Sequence, residues 1–382
     1  MISNPFKFGK EVSGDQFYDR EESFRKLYTR LAGGASNVVM YAPRRYGKTS
    51  LVKRVLARFA EEGTPTLYFN LNKVETIEKF CEQYSAALCR LVGKGRETAD
   101  LLGTYLSHLH PTISLGGEAP VSVRLDYGLK MSSTSLSSVL DMAEKIAAEK
   151  LRRPIVVAFD EFQEILRLSP ELPLEGIFRG CIQEHQTVRY LFFGSKTHML
   201  RRMFGDRERP FYKSATTMKL EKPPEDESAD FVKRRFASRS IGIDDELARR
   251  IVRESENIPY YLQQLSSLVF ESVIGREGDW VEPKDVDEAI GGLLDENADY
   301  YSERLSALSA MQRVLLSALS REPVRIFTAD YRARHSLGGS STVNTALKAI
   351  VEGGLVESTE KGYFVGDPFF ARYVRALPYE AY

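Results

Sequence analysis

One stretch, Tyr41–Ser50 (YAPRRYGKTS), restricts what this chain can fold into more than any other. It follows the apolar run Asn37–Tyr41 (NVVMY), which reads as a buried strand, and leads into Lys48–Ala60, whose apolar residues recur at helical spacing. Strand, tight loop and helix in that order make an anion grip. Backbone N–H groups wrap the anion, and the helix offers it the positive end of its dipole. The loop fits G-x-x-x-x-G-K-[ST] with Ala42 at the first glycine position. Gly47 permits close backbone approach. Lys48 would neutralise β- and γ-phosphates, and the Thr49 hydroxyl would ligate magnesium. Ala42, Pro43, Arg44, Arg45, Tyr46, Gly47, Lys48, Thr49 and Ser50 are thus the expected grip for ATP with Mg2+.

The alternation continues. Thr66–Leu71 reads as a strand and Thr76–Leu91 as a helix. Leu136–Lys150 is an amphipathic helix, and Ile155–Phe159 is another apolar strand. Gly176–His185 is helical, Tyr190–Phe193 a strand, and Thr217–Leu220 a last short strand. Such alternation predicts an α/β domain with a parallel sheet covered by helices on both faces. His108–Tyr127 breaks it with Gly, Pro and Val, as an inserted hairpin would. IVVAFDEFQ (Ile155–Gln163) ends its strand in two acids, at the edge where open parallel sheets bind ligands. Asp160 is placed to hold magnesium, and Glu161 to polarise an attacking water.

With 382 residues the chain is long enough for two or three domains, and 43% apolar with 28% charged residues suits a globular core. Composition shifts at Glu221–Ser228 (EKPPEDES), a predicted linker. Beyond it Asp230–Ser238, Asp244–Glu254, Tyr261–Val273 and Pro283–Leu294 read as helices, with Pro283 at a first-turn position that needs no N–H. The predicted division is a nucleotide domain over 1–222, a helical lid over 223–300 and a third domain over 301–382. Cys81, Cys89 and Cys181 have neither metal-ligand nor disulfide spacing. MISNPFKFGKEV has no apolar leader core, and no run approaches a membrane span, so a cytoplasmic protein is expected.

The glutamate directly after Asp160, with an additional strand to follow, resembles the ATPases that insert a strand between the two nucleotide-binding strands, the broad group of AAA+ and STAND proteins. Several motifs place the chain near the archaeal-type branch. FYDREESF (Phe17–Phe24) resembles the box preceding the phosphate loop, with Asp19 in place of Gly and Arg20 and Glu21 matching. PRRYGKTS is similar to that family's loop, Arg44 and Arg45 included. ENIPYYLQQL (Glu256–Leu265) resembles the Gly-x-Pro motif of the lid, with Asn257 for Gly and Pro259 retained. Asn tolerates the left-handed backbone next best after Gly. YFVGDPFFARYV (Tyr363–Val374) is similar to the closing motif.

The resemblance implies ATP-Mg between sheet edge and lid, with Arg20 and Pro259 near the nucleotide and Ser195 as a polar sensor of the γ-phosphate or water. PFYKSA (Pro210–Ala215) departs from the pattern, since Lys213 and Ser214 stand where Gly and Arg are expected. Arg207, Arg209 and Lys213 therefore compete as the cation for the γ-phosphate, in a basic loop, RRMFGDRER, that otherwise reads as solvated surface.

At the C-terminus, helices over Ser306–Leu319, Thr328–His335 and Ser341–Glu352, then a wing turning at Glu360–Gly362, predict a winged helix-turn-helix. Its shape points to duplex DNA. Its charge does not. From Arg321 onward eight cations face seven anions, the predicted recognition helix holds only Lys348, and Lys+Arg equals Asp+Glu at 53 over the whole chain. The expected function is an ATP-hydrolysing switch that couples ATP or ADP to lid and winged-helix position, with a protein partner or oligomerisation allowed; the alternative is an ATPase acting on DNA.

Overall fold

Ile155–Asp160 is buried at every position, unlike a strand with one wet face, and it lies inside a sheet covered on both sides. The computed structural model describes residues 3–9, 20–92, 96–114, 122–126, 131–323, 326–359 and 362–378. The chain forms two compact units. The first comprises Arg20–Ala42 and Lys48–Leu220; the second joins the loop Pro43–Gly47 to the chain from Glu221 onward and to N-terminal residues such as Asn4.

The first unit runs α1 (Glu21–Gly33), β1 (Asn37–Tyr41), α2 (Lys48–Glu61), β2 (Thr66–Asn70), α3 (Ile77–Val92), α4 (Arg96–Tyr105), β3 (Thr112–Ser114), β4 (Ser122–Arg124), α5 (Ser133–Lys145), β5 (Ile155–Asp160), α6 (Ile165–Leu168), α7 (Leu174–Glu184), β6 (Val188–Gly194), α8 (Thr197–Gly205) and β7 (Ala215–Lys219). Five strands make a parallel sheet ordered β2-β5-β6-β1-β7. The inserted strand is β6, seated between β1 and β5. β3 and β4 form a separate antiparallel pair. Residues 115–121 and Tyr127 of the predicted hairpin lie outside the described residues, as do Phe17–Asp19 of the box before the phosphate loop.

One layer of the core is aromatic. Phe159 stacks on Tyr190 and Phe192 across the β5–β6 pair, and Phe80, Tyr84 and Phe178 close over it. Each fully buried ring contributes about 1.5–3 kcal/mol. This layer fixes how β5 and β6 run side by side, and hence where their ends deliver polar residues.

The second unit contains α9 (Glu225–Ala237), α10 (Asp245–Glu254), α11 (Pro259–Gly275), α12 (Pro283–Glu296), α13 (Ala298–Ser306), α14 (Ala310–Arg321), α15 (Ala329–Arg334), α16 (Ser340–Glu352), β8 (Val356–Thr359), β9 (Gly362–Val365) and α17 (Pro368–Ala376). The hairpin β8–β9 is the wing, and α16 the third helix of the winged helix. Glu360, Lys361 and Arg325 lie outside the described residues.

Three boundaries correct the sequence reading. α9 begins at Glu225, inside the predicted linker, because Glu225, Asp226 and Glu227 favour a helix N-terminus over a solvated loop. The predicted helix from Ser306 begins instead at Ala310, where Ser309 and Gln312 form a capping box and separate it from α13. Arg201–Gly205 of the predicted basic loop closes α8, whose apolar positions Leu200, Met203 and Phe204 are buried.

Candidate active site

The register aligns the C-terminal ends of the strands. Asp160 pairs with Asn70 on one side and Phe193 on the other, while Tyr41 pairs with Gly194 and Lys219. The residues after β1, β5 and β6 therefore emerge along one edge. These are the phosphate loop, Glu161 and Ser195.

Asp160 is buried, and its oxygens have separate partners. One accepts from the Glu161 amide at 2.9 Å; the other accepts from the Tyr68 hydroxyl at 2.6 Å and the Thr49 hydroxyl at 3.2 Å. All three are neutral donors. Burial pushes its carboxyl above the usual range, the Tyr68 hydrogen bond opposes this, and the neighbouring Glu161 adds to it. The carboxylate lacks a countercharge among these partners. A hard divalent cation fits such a donor set, with the Thr49 and Asp160 oxygens within reach of one ion.

Glu161 lies in the left-handed region, φ 52°, which turns its side chain off the strand path. Its Oε2 accepts from the Ser195 amide at 3.0 Å, the Ser195 hydroxyl at 2.9 Å and Gln163 Nε2 at 2.6 Å. Gly194 has a steric reason: a Cβ there would lie 2.1 Å from Gln163 Oε1. The Gly-Ser pair is thus built around the glutamate.

In the phosphate loop, Lys48 is buried and its Nζ donates to the Ala42 carbonyl at 2.7 Å, spanning the loop. Arg45 and Gly47 both have positive φ, 68° and 80°. Backbone reversals of this kind build anion-binding concavities. For Gly47 the conformation is free. For Arg45 it costs about 1–3 kcal/mol unless its surroundings enforce it. The Tyr260 amide donates to the Arg45 carbonyl at 3.4 Å, and the guanidinium lies over the Tyr260 and Tyr261 rings at 4.9 and 4.8 Å and 3.3 Å from Asp367. Ala42, Pro43 and Tyr46 are buried, Arg44 is exposed, and Ser50 is half-buried on α2.

Pro259 is the first residue of α11, and Asn257, two residues earlier, has φ 54°, so the left-handed turn survives the Gly-to-Asn exchange. Asn257 also ties that turn down, donating to the Pro223 carbonyl at 2.7 Å. Arg20 is buried at the N-cap position of α1. Among the three candidate cations, Arg209 is already paired to the buried Glu175 at 2.6 Å, and Lys213 has its ammonium over the Tyr212 ring at 5.3 Å.

Sequence reasoning missed Tyr68, Gln163, Tyr260, Tyr261 and Asp367. Tyr68 stands on an edge strand whose exposure alternates, so only pairing with β5 reveals its target. Asp367 carried a usable signal, because Asp before Pro at the start of an apolar run reads as a helix cap.

A family model described as an ATPase domain predominantly from Archaea matches residues 17–265, and one described as a probable winged helix domain matches residues 299–376. No curated protein matches the chain. Among solved structures, the Walker-type ATPase PABY2304 of Pyrococcus abyssi is 17% identical, with 97% of this chain and 99% of that one covered, at a TM-score of 0.65. The ORC2 protein of Aeropyrum pernix, solved in ADPNP–ADP complexes, is 16% identical with 93% and 91% covered, at a TM-score of 0.53.

Proposed function

This chain belongs to the family of ATPase domains found predominantly in Archaea, and from that premise we propose that it binds ATP with Mg2+ at Ala42–Thr49 and hydrolyses it as a nucleotide-controlled switch. The observation that carries the reading is the Glu161 carboxylate, held by three donors beside the Asp160–Thr49 pair. A general base needs that kind of fixed orientation.

In this reading the loop amides and Lys48 hold the β- and γ-phosphates. Thr49 and Asp160 would hold Mg2+, which would supply charge to offset that of the phosphates. Glu161 orients the attacking water for in-line displacement and takes up its proton, and the phosphate leaves as ADP forms. Ser195 positions Glu161 through its amide and hydroxyl, and the hydroxyl would turn toward the γ-phosphate of bound ATP. Pro259 starts the helix whose next residue touches the loop at Arg45, which gives nucleotide state a route to the lid.

ATP turnover by the full chain, measured with and without duplex DNA over a salt series, tests the reading. We expect turnover independent of duplex at physiological salt. Absence of both nucleotide binding and turnover would discard it; turnover that requires duplex would replace the switch with an ATPase acting on DNA. Limited proteolysis with ATP and with ADP should give different patterns, and identical patterns would remove the switch while leaving the ATPase.

A further inference from the structure

Three motifs far apart in sequence meet at one guanidinium. Arg45 comes from the phosphate loop, Tyr260 and Tyr261 from the start of α11, and Asp367 from the cap of α17. Tyr261 in turn packs edge-on against Phe369 of α17, ring centroids 5.8 Å apart. Arg45 holds a backbone conformation that a side chain disfavours, and these contacts come from neither the strand before the loop nor the helix after it. The conformation is enforced from outside.

Asp367 divides its two oxygens between two tasks. Oδ1 accepts from the Phe369 and Phe370 amides at 3.0 and 3.1 Å and caps α17, while Oδ2 faces Arg45. Asp367 and Arg45 also line a cavity of about 270 Å³ with Arg44, Tyr301 and Arg304.

We propose that Asp367 is a positioning residue for nucleotide binding, acting through Arg45: the closing helix of the winged helix holds the phosphate loop in its anion-binding shape. The proposal rests on the reading of Ala42–Thr49 as the phosphate grip. It makes coupling reciprocal. Whatever draws α17 off Arg45 weakens nucleotide binding by the factor with which nucleotide strengthens that contact.

The test is calorimetric ADP binding to the full chain for the unmodified protein, Arg45→Ala, Arg45→Lys, Asp367→Asn and the double variant Arg45→Ala with Asp367→Asn. Asn keeps an oxygen for the cap and loses the charge that faces Arg45, so the thermal midpoint of Asp367→Asn should hold. Each Ala or Asn variant should weaken ADP binding about 5- to 10-fold, with the double variant no weaker than Arg45→Ala. The loss should appear in the KM for ATP and not in kcat. Arg45→Lys should also bind weakly, because an ammonium lacks the planar face that lies against the tyrosines.

Unchanged ADP affinity in Asp367→Asn overturns the proposal, and so do additive losses in the double variant. Near-normal binding by Arg45→Lys would make Arg45 a plain charge for the phosphates and likewise overturn it. Failure of the unmodified protein to bind ADP would sink the phosphate-grip reading itself, and that is seen before any variant is compared.

Discussion

The sheet edge and the winged helix both carry charged side chains, but they manage that charge in opposite ways. At the sheet edge, Asp160 and Glu161 are held by hydroxyls, amides and a carboxamide, and these partners orient their negative charge without cancelling it. In the winged helix, several cations are paired with acids. Arg334 pairs with Asp330 and Glu322, Lys348 lies 3.9 Å from Glu352, Arg372 pairs with Glu254, and the acid Asp367 takes Arg45 of the phosphate loop. Oriented but uncompensated charge attracts a ligand of opposite sign; compensated charge stabilises the protein's own contacts. The difference separates a donor set suited to a cation from side chains paired within their own chain.

The largest expected effect tests the first half of that contrast. Lys48→Ala removes the cation that bridges to the Ala42 carbonyl and faces the expected phosphates. Nucleotide affinity by calorimetry should fall roughly 100-fold or more. Unchanged affinity would place the nucleotide elsewhere. Glu161→Gln comes next. The carboxamide is nearly isosteric, so binding should persist while turnover drops about 100- to 10,000-fold. Turnover at the unmodified rate would take the general-base role from Glu161.

Ser195→Ala sharpens the comparison at smaller scale. It deletes one of the three donors to Glu161 but keeps the backbone amide, so kcat should fall roughly tenfold with KM little changed. A drop as deep as that of Glu161→Gln would mean that Ser195 touches the reacting groups itself.

Much of the sheet edge was legible in the sequence because local rules control it. An apolar run followed by glycine and lysine, or by two acids, fixes both the element and the end at which the polar group emerges. Lys48, Thr49, Asp160, Glu161 and Ser195 stand where those rules put them. Non-local pairing stayed hidden. That Tyr68 reaches Asp160 follows only from β2 lying beside β5 in register, and that Arg45 reaches Asp367 follows from packing across more than 300 residues of chain. Helix ends went astray where capping chemistry overrode composition, as at Ser309 and at Pro224 before the acidic first turn of α9.

A smaller effect concerns stability. Burial raises the Asp160 carboxyl, so the folded protein holds that proton more tightly than the unfolded chain does. The stability this gives is fully present below the ordinary carboxylate pKa and is lost as pH rises through the folded-state value. At neutral pH an ionised, metal-free Asp160 therefore costs stability, and Asp160→Asn should melt a little above the unmodified protein. Magnesium should raise the midpoint of the unmodified protein and leave the variant where it is. The advantage of the variant should shrink as pH falls through the folded-state value, where the unmodified carboxyl takes up its proton. A variant that melts lower at pH 7 would mean that the charge is compensated after all, and the contrast between the two regions would lose its first half.

The smallest expected effect tests the second half. α16 has the shape of a base reader: Ser340, Ser341, Thr342 and Thr345 are exposed or half-buried on a third helix. Duplex affinity, however, comes mainly from phosphate neutralisation and the counterions it releases, and a reader making about 6–10 phosphate contacts needs a comparable number of available cations. Lys348 is the one cation of α16 and has Glu352 one turn away; Arg334 is held by two acids and Arg372 by a third. Each would have to give up its partner before it could serve a phosphate. Duplex binding by the full chain should therefore be weak and vanish as salt rises toward physiological strength. Reversing Lys348→Glu should change neither ATP turnover nor whatever residual binding low salt reveals by more than about twofold. Tight, sequence-selective binding at physiological salt, lost on that single reversal, would show that the ion pairs open for DNA and would make the winged helix a nucleic-acid reader despite its balanced charge.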